Sequence, residues 1–250
     1  MQTIPEEKRQ RLHEILRDCG SLAIGYSGGV DSVFLARIAT EVLGRDKVLA
    51  VTGKSDSLPS WMESTAGAVA ERFGIRWLET DTDELADPRY AANPSNRCYF
   101  CKSELWGKLR GVAAAHGLES VADGANADDV GDHRPGHVAA RENAVRSPLL
   151  EAGLTKAEIR AWSRELGLPT WDQPAAPCLA SRLPYGVAVT AARLQQVEDA
   201  EVALRALGLR DFRVRHHGDV GRVEVHPAER DAARAHLDAI RQALLAAGFA

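Results

Sequence analysis

From residue 21 onward the chain alternates short apolar runs with stretches of helical period. SLAIGY (21–26), KVLAVTG (47–53), RWLETDT (76–82) and ESVADG (119–124) read as strands of a buried sheet. Between them, 30–43, 60–73 and 102–116 carry apolar positions at helical spacing. Strand–helix alternation of this kind predicts an α/β fold: a parallel sheet with helices on both faces. Ligands of such sheets bind beyond the carboxyl ends of the strands.

One later helix is punctuated on both sides. Thr155 and Glu158 have the spacing of a capping box, and Leu154 and Ile159 that of a hydrophobic staple. Gly167 and then Pro169 stop it. Near residue 186 the pattern changes. A helix over about 190–207 is followed by FRVRHH, a Gly-Asp turn, GRVEVH and a last helix from Pro227. We therefore expect a main domain over 1–186 and a small α-β-β-α unit over 187–250. The smaller unit is short for independent stability and is expected to dock on the main domain or on a neighbouring subunit.

Composition narrows the classes. The chain has 250 residues, 45% of them hydrophobic, with a net charge of −4. Its first segment, MQTIPEEKRQRLHEIL, reads as a charged amphipathic helix rather than a signal peptide, and no apolar run is long enough to span a membrane. A cytoplasmic protein is expected. The mild acidity argues against a stable nucleic-acid partner but leaves room for a local basic pocket. The four cysteines, 19, 98, 101 and 178, do not form a disulfide framework; clustered thiols in a reducing compartment point to metal or catalysis.

The strongest chemical signal is Ser27-Gly28-Gly29-Val30-Asp31-Ser32, set between an apolar strand and a helix. Two glycines allow a tight turn whose N–H groups point at an anion, and the helix N-terminus adds partial positive charge. Ser27 and Ser32 can donate to phosphate oxygens, and Asp31 is placed to hold a magnesium ion. A plain strand–helix turn would also accept these residues, but the flanking elements favour phosphate. No Gly-Lys-Ser/Thr follows, so this is not a Walker A loop. SGGVDS resembles the PP-loop of the ATP pyrophosphatases, which bind the β,γ-pyrophosphate of ATP and transfer AMP to a substrate oxygen. A second loop, Asp123-Gly124-Ala125-Asn126-Ala127-Asp128-Asp129, follows the strand at 119–124 and offers three carboxylates for magnesium or substrate. In PP-loop enzymes the segment corresponding to 51–56, which includes Ser55, cradles adenine; that inference is positional.

Three further stretches narrow the resemblance: NPSNRCYFCKSELW (93–106), 123–160 and LGLPTWDQPAAPCLASRLPYG (166–186). With SGGVDS they resemble the LarE family of ATP-dependent sulfur transferases over about residues 10–225. The resemblance implies adenylation of a carboxylate of pyridinium-3,5-dicarboxylate mononucleotide and its conversion to a thiocarboxylate, in biosynthesis of the nickel-pincer cofactor of lactate racemase. It implies that Cys178, in PAxxCLASR, carries the sulfur. One branch of the family gives up that sulfur and is left with dehydroalanine. In another, three cysteines hold a four-iron four-sulfur cluster, and here Cys98, Cys101 and Cys178 match that set. Three thiolates would leave one iron open. A zinc site completed by His133 or His137 is the main rival, and a redox or inert pair the lesser one. Cys19 is expected in the core.

A substrate with a phosphate and two carboxylates calls for arginines. Arg182 and Arg134 lie inside the matching motifs, and Arg97 borders the first cysteine. Tyr99 and Trp106 are expected to pack in the core. In the C-terminal unit the resemblance points to Arg215 and Glu224, and to a homo-oligomer, trimer or hexamer, with sulfide or a cysteine desulfurase as the donor. Other PP-loop activities, tRNA thiolation or an NAD or GMP synthetase-like reaction, are the alternatives.

Overall fold

A computed structural model describes residues 4–130 and 135–250. In chain order it contains α1 (Glu6–Asp18), β1 (Leu22–Gly25), α2 (Val30–Leu43), β2 (Val48–Lys54), α3 (Ser60–Arg72) and β3 (Trp77–Asp81). Then come α4 (Pro88–Ala91), α5 (Arg97–Ala115), β4 (Ser120–Ala122), α6 (Pro135–Glu142), α7 (Pro148–Glu151) and α8 (Lys156–Glu165). The C-terminal part holds α9 (Ala191–Ala206), β5 (Phe212–His217), β6 (Val220–Val225), α10 (Arg230–Ala235) and α11 (Leu237–Ala246). The chain divides into two compact units. The first comprises Met1–Ser55, Met62–Asp83 and Cys98–Gln173; the second comprises Asp56–Trp61, Glu84–Arg97 and Pro174–Ala250. This partition differs from a division at 186/187. The segments at 56–61 and 84–97 bond to the chain around 177–189, so the second unit gathers pieces that are distant in sequence.

In the first unit four parallel strands run in the order β3-β2-β1-β4. Successive side chains of a strand point to opposite faces, and the core follows that rule. Leu22, Ile24, Val48, Ala50 and Ala122 pack with α1, α2, α3 and α8; Ala23, Leu49, Val51 and Val121 pack with α5 and α6. Two cores, one on each face, explain why Leu22–Ile24 and Val48–Val51 are apolar at every position. β3 is one edge of the sheet, and its WLETD is only partly covered. Helix α1 buries Leu12, Ile15 and Leu16 at i, i+3, i+4, worth about 2 kcal/mol for each fully buried leucine.

Order along the sheet reverses between β1 and β4. From β1 the chain builds outward through β2 to β3 and then returns to the other side of β1. The phosphate loop after β1 and the acidic loop after β4 therefore leave adjacent strand ends at the topological switch point, where open α/β sheets bind ligands. Gly124 makes their approach close: a Cβ there would lie 3.1 Å from both Asp31 Cβ and Ser32 N.

Helix α5 begins at Arg97, five residues before the expected start, because the turn at Pro94–Arg97 already launches it. In the second unit α9 packs on the β5–β6 hairpin, closed by Gly218 at φ 66° and Asp219. The last helix is not continuous from Pro227: a 3-10 turn at Pro227–Glu229 leads into α10 and α11, which meet at His236, whose φ and ψ of −111° and 17° leave the helical region.

Candidate functional site

The loop from Ser27 to Ser32 is held from within. Gly28 takes φ 73°, and a Cβ on it would come 2.8 Å from the carbonyl oxygen of Met62, so glycine is required twice over. Ser32 Oγ donates to Gly29 O at 3.2 Å and accepts from Ser27 N at 3.2 Å. Gly29 is the N-cap of α2 and no side chain caps the helix. The first-turn N–H groups lack intrahelical partners, as in any helix, and could meet a ligand anion. Val30 anchors the turn in the core at 4% exposure, and Asp31 stands in the first turn.

Asp31 is engaged from the neighbouring loop. Lys156 Nζ forms an ion pair with Asp31 Oδ2, and Asn126 Nδ2 donates to Asp31 Oδ1 at 3.4 Å. Lys156 is the first residue of α8, and its own N–H donates to Asp128 Oδ2 at 2.9 Å. The capping box expected from Thr155 and Glu158 is present and fixes this end of the helix. The acidic loop uses much of its acceptor capacity on itself. Asp123 Oδ1 accepts from Ala125 N and from Ser147 Oγ, and Asp129 Oδ2 accepts from Asn126 N. Its carboxylates thus shape the loop, while Asp31, Asn126, Asp128 and Lys156 form a connected polar cluster. Lys156 was not singled out from the sequence, since Thr-Lys-Ala-Glu reads as an ordinary helix start. Ser55 follows β2 and is half-buried. Arg134 and His133 lie outside the described residues.

Cys98 and Cys101 occupy the first turn of α5 at i and i+3, so they share one helix face. Cys98 is exposed, Cys101 and Cys178 are half-buried, and none of the four cysteines is in a disulfide. Soft, accessible thiols suit an iron–sulfur cluster or zinc chemically. Among the described residues no three His, Cys, Asp or Glu side chains are grouped as a metal-ligand set. A magnesium–ATP complex would not need one: it usually takes one or two carboxylates and completes its shell with phosphate oxygens and water. Cys19 is buried in the core as expected, where desolvation raises its thiol pKa. Trp106 is also buried, under Lys102, and Tyr99 donates to Glu142 at 2.6 Å.

Cys178 belongs to the second unit and is the N-cap of a 3-10 turn, Leu179–Arg182. Arg182 is not a free hand for substrate. At 3% exposure it makes a two-point ion pair with Glu201 (2.8 and 2.9 Å), and its Nη1 donates to Pro177 O at 2.6 Å and Cys178 O at 3.2 Å. Arg215 likewise donates to Ser181 O at 2.9 Å and to Glu224 Oε2 at 2.8 Å. Its hydrogen bond holds the Glu224 carboxyl below the ordinary range. Both arginines brace the turn that carries Cys178.

Comparison with known proteins fits this geometry. The NAD synthase family matches residues 6–113. An NH(3)-dependent NAD(+) synthetase of Methanosarcina mazei is 30% identical over 36% of this chain and 38% of its own. A pyridinium-3,5-bisthiocarboxylic acid mononucleotide synthase of Lactiplantibacillus plantarum is 35% identical over 97% of this chain and 88% of its own. The chain belongs to the LarE family. An uncharacterized protein of Synechocystis is 47% identical over 90% of this chain and 83% of its own. Membership in the LarE family makes the chain an ATP-using, thiocarboxylate-forming enzyme, and the phosphate loop lies within the residues 6–113 that match the NAD synthase family. No helix among the described residues is long and apolar enough to cross a membrane.

Proposed function

We propose that this LarE-family enzyme adenylates a carboxylate of pyridinium-3,5-dicarboxylate mononucleotide and replaces its oxygen with sulfur, in assembly of the nickel-pincer cofactor of lactate racemase. The observation that carries the reading is the phosphate loop at the switch point, in a chain that matches a pyridinium-3,5-bisthiocarboxylic acid mononucleotide synthase over nearly its whole length. The β,γ-pyrophosphate of ATP sits on Ser27–Ser32 and adenine on the chain around Ser55; Asp31 is the residue that would hold magnesium, which when bound would neutralise phosphate charge. A substrate carboxylate oxygen attacks the α-phosphorus, pyrophosphate leaves, and the carboxyl carbon gains a good leaving group. Lys156, ion-paired with Asp31 beside the loop, stabilises the charge that develops on the phosphates.

Where no cluster is loaded, Cys178 itself supplies the sulfur. Its thiolate attacks the acyl adenylate and AMP departs with the C–O electron pair. Loss of the cysteine α-proton and cleavage of its Cβ–S bond then yield the thiocarboxylate and dehydroalanine. Cys98, Cys101 and Cys178 are the residues that would hold a four-iron four-sulfur cluster, which when bound would supply a transferable sulfide and spare the cysteine; zinc on the same thiols leaves the Cys178 route intact. Arg134 serves the substrate's anionic groups, and the subunits associate as a trimer or hexamer in the cytoplasm, replenished by sulfide or a desulfurase.

ATP–pyrophosphate exchange dependent on the pyridinium dicarboxylate tests the adenylation. Iron and sulfide analysis of anaerobically purified protein tests the sulfur source. Iron with acid-labile sulfide supports the cluster; stoichiometric zinc without iron leaves single-turnover transfer. No exchange with the pyridinium substrate, but exchange with a synthetase substrate, overturns the assignment.

A further inference from the structure

In the second unit, the turn bearing Cys178 is pinned by its own Arg182 and by groups far away in sequence. Asn93 is fully buried and adopts φ 55°, a left-handed conformation that asparagine tolerates better than most residues. Its amide nitrogen donates to Pro184 O and Val187 O, both at 2.8 Å, and its carbonyl accepts from Gly186 N at 2.9 Å. The remaining amide oxygen accepts from Arg97 Nη1, which also donates to Ala180 O at 2.9 Å. Arg97 is 4% exposed. Leu179 N donates to Ser57 O at 2.8 Å, and Ser57 is itself tied through its hydroxyl to Glu84 at 3.0 Å and Tyr90 at 2.7 Å. Including Arg182 and Arg215, the carbonyls of residues 177, 178, 180 and 181 each accept from a guanidinium.

This is more anchoring than a surface turn needs. A buried guanidinium and a buried amide in a strained backbone are both costly to place; here their donors converge on residues 180–187. We infer that Asn93 and Arg97 are positioning residues for sulfur transfer: they fix the Cys178 turn so that the sulfur meets the activated carboxyl in a single geometry. The inference rests on Cys178 as the sulfur carrier, and it gives the NPSNR segment preceding the cysteine pair a task of its own. Attack geometry is sensitive to displacement of about 1 Å, which can cost about a hundredfold in rate.

The test uses the full-length protein with R97A, R97K and N93G, the last keeping the positive φ free of strain while removing the amide. The expected result is a fall of about tenfold or more in the rate of thiocarboxylate formation, with ATP–pyrophosphate exchange and the KM for ATP within about twofold of wild type. R97K should recover part of the loss. The amides of 179–187 should exchange hydrogen faster, and the rate at which iodoacetamide alkylates Cys178 should change. Equal losses in exchange and transfer, or an unchanged transfer rate, overturn the inference. If C178S forms thiocarboxylate at the wild-type rate, Cys178 is not the carrier and the inference falls with that reading; retained amide protection and alkylation rates in a folded N93G variant would refute the clamp itself.

Discussion

Lys156 at the start of α8 is ion-paired with Asp31 in the first turn of α2, joining the helix that follows the acidic loop to the phosphate loop. Both side chains are partly exposed, at 32% and 23%, so the pair is accessible to magnesium–ATP and weak enough to exchange. A cation that neutralises Asp31 before ATP binds and is free to meet the phosphates afterwards is the economical reading of this contact. K156M should lower pyridinium-dependent ATP–pyrophosphate exchange by about tenfold to a hundredfold with little loss of stability. D31N should weaken the dependence on magnesium. Exchange kinetics over a magnesium titration measure both effects, and a K156M enzyme with wild-type exchange would remove Lys156 from the reaction.

Gly28 makes a prediction with two parts. Alanine there must adopt φ 73° and face a Met62 carbonyl oxygen 2.8 Å from its Cβ. G28A should therefore destabilise by about 1–2 kcal/mol from the left-handed conformation alone and should lose more in ATP affinity than in stability. Equilibrium urea unfolding and nucleotide titration measure the two separately.

The Arg182–Glu201 pair is almost completely buried, at 2% and 1% side-chain exposure. Removing one partner strands the other charge. E201A should cost about 3–5 kcal/mol of unfolding free energy. It should also loosen the Cys178 turn, because the Arg182 bonds to Pro177 O and Cys178 O depend on the same guanidinium. A loss below about 1 kcal/mol in urea unfolding would show that water reaches the pair.

His216 gives the stability a pH dependence. Burial holds its pKa below the ordinary value, with Arg193 and His217 acting in the same direction and Asp219 against. Its Nε2 faces Gln196 Oε1 at 3.1 Å, while Nδ1 is buried with no hydrogen-bond partner among the described residues. A depressed folded-state pKa means the unfolded chain takes up this proton first as pH falls. The His216 contribution is therefore complete above about pH 6.5 and is lost below it. The melting temperature of wild type should fall between about pH 7 and 5, and H216F should flatten part of that fall. Identical slopes in the two proteins would assign the acid sensitivity to other groups.

Much of the first unit is legible in sequence because each strand serves two cores and each loop sits at a strand end. Val30–Leu43 and the Thr155–Glu158 box emerge where the pattern puts them. The second unit is less legible. Asn93 and Arg97 donate to backbone carbonyls 83 to 94 positions away, Ser57 O accepts from the distant Leu179 N, and no local periodicity reports such bonds. Arg182 reads as a substrate-facing arginine because arginines are rarely buried; only the Glu201 carboxylate on α9 reveals its role. Lys156 hides in a helix start for the same reason, since its partner lies 125 residues earlier.

The central claim is that ATP cleaved at the Ser27–Ser32 loop drives sulfur from Cys178 onto a pyridinium carboxylate. The most direct measurement is anaerobic incubation of wild type and C178S with magnesium–ATP and pyridinium-3,5-dicarboxylate mononucleotide, with AMP and the thiocarboxylate quantified by mass spectrometry. Wild type should yield AMP and thiocarboxylate in equal amounts, and C178S acyl adenylate with no thiocarboxylate. Thiocarboxylate from C178S at the wild-type rate, or ADP in place of AMP, would contradict that claim.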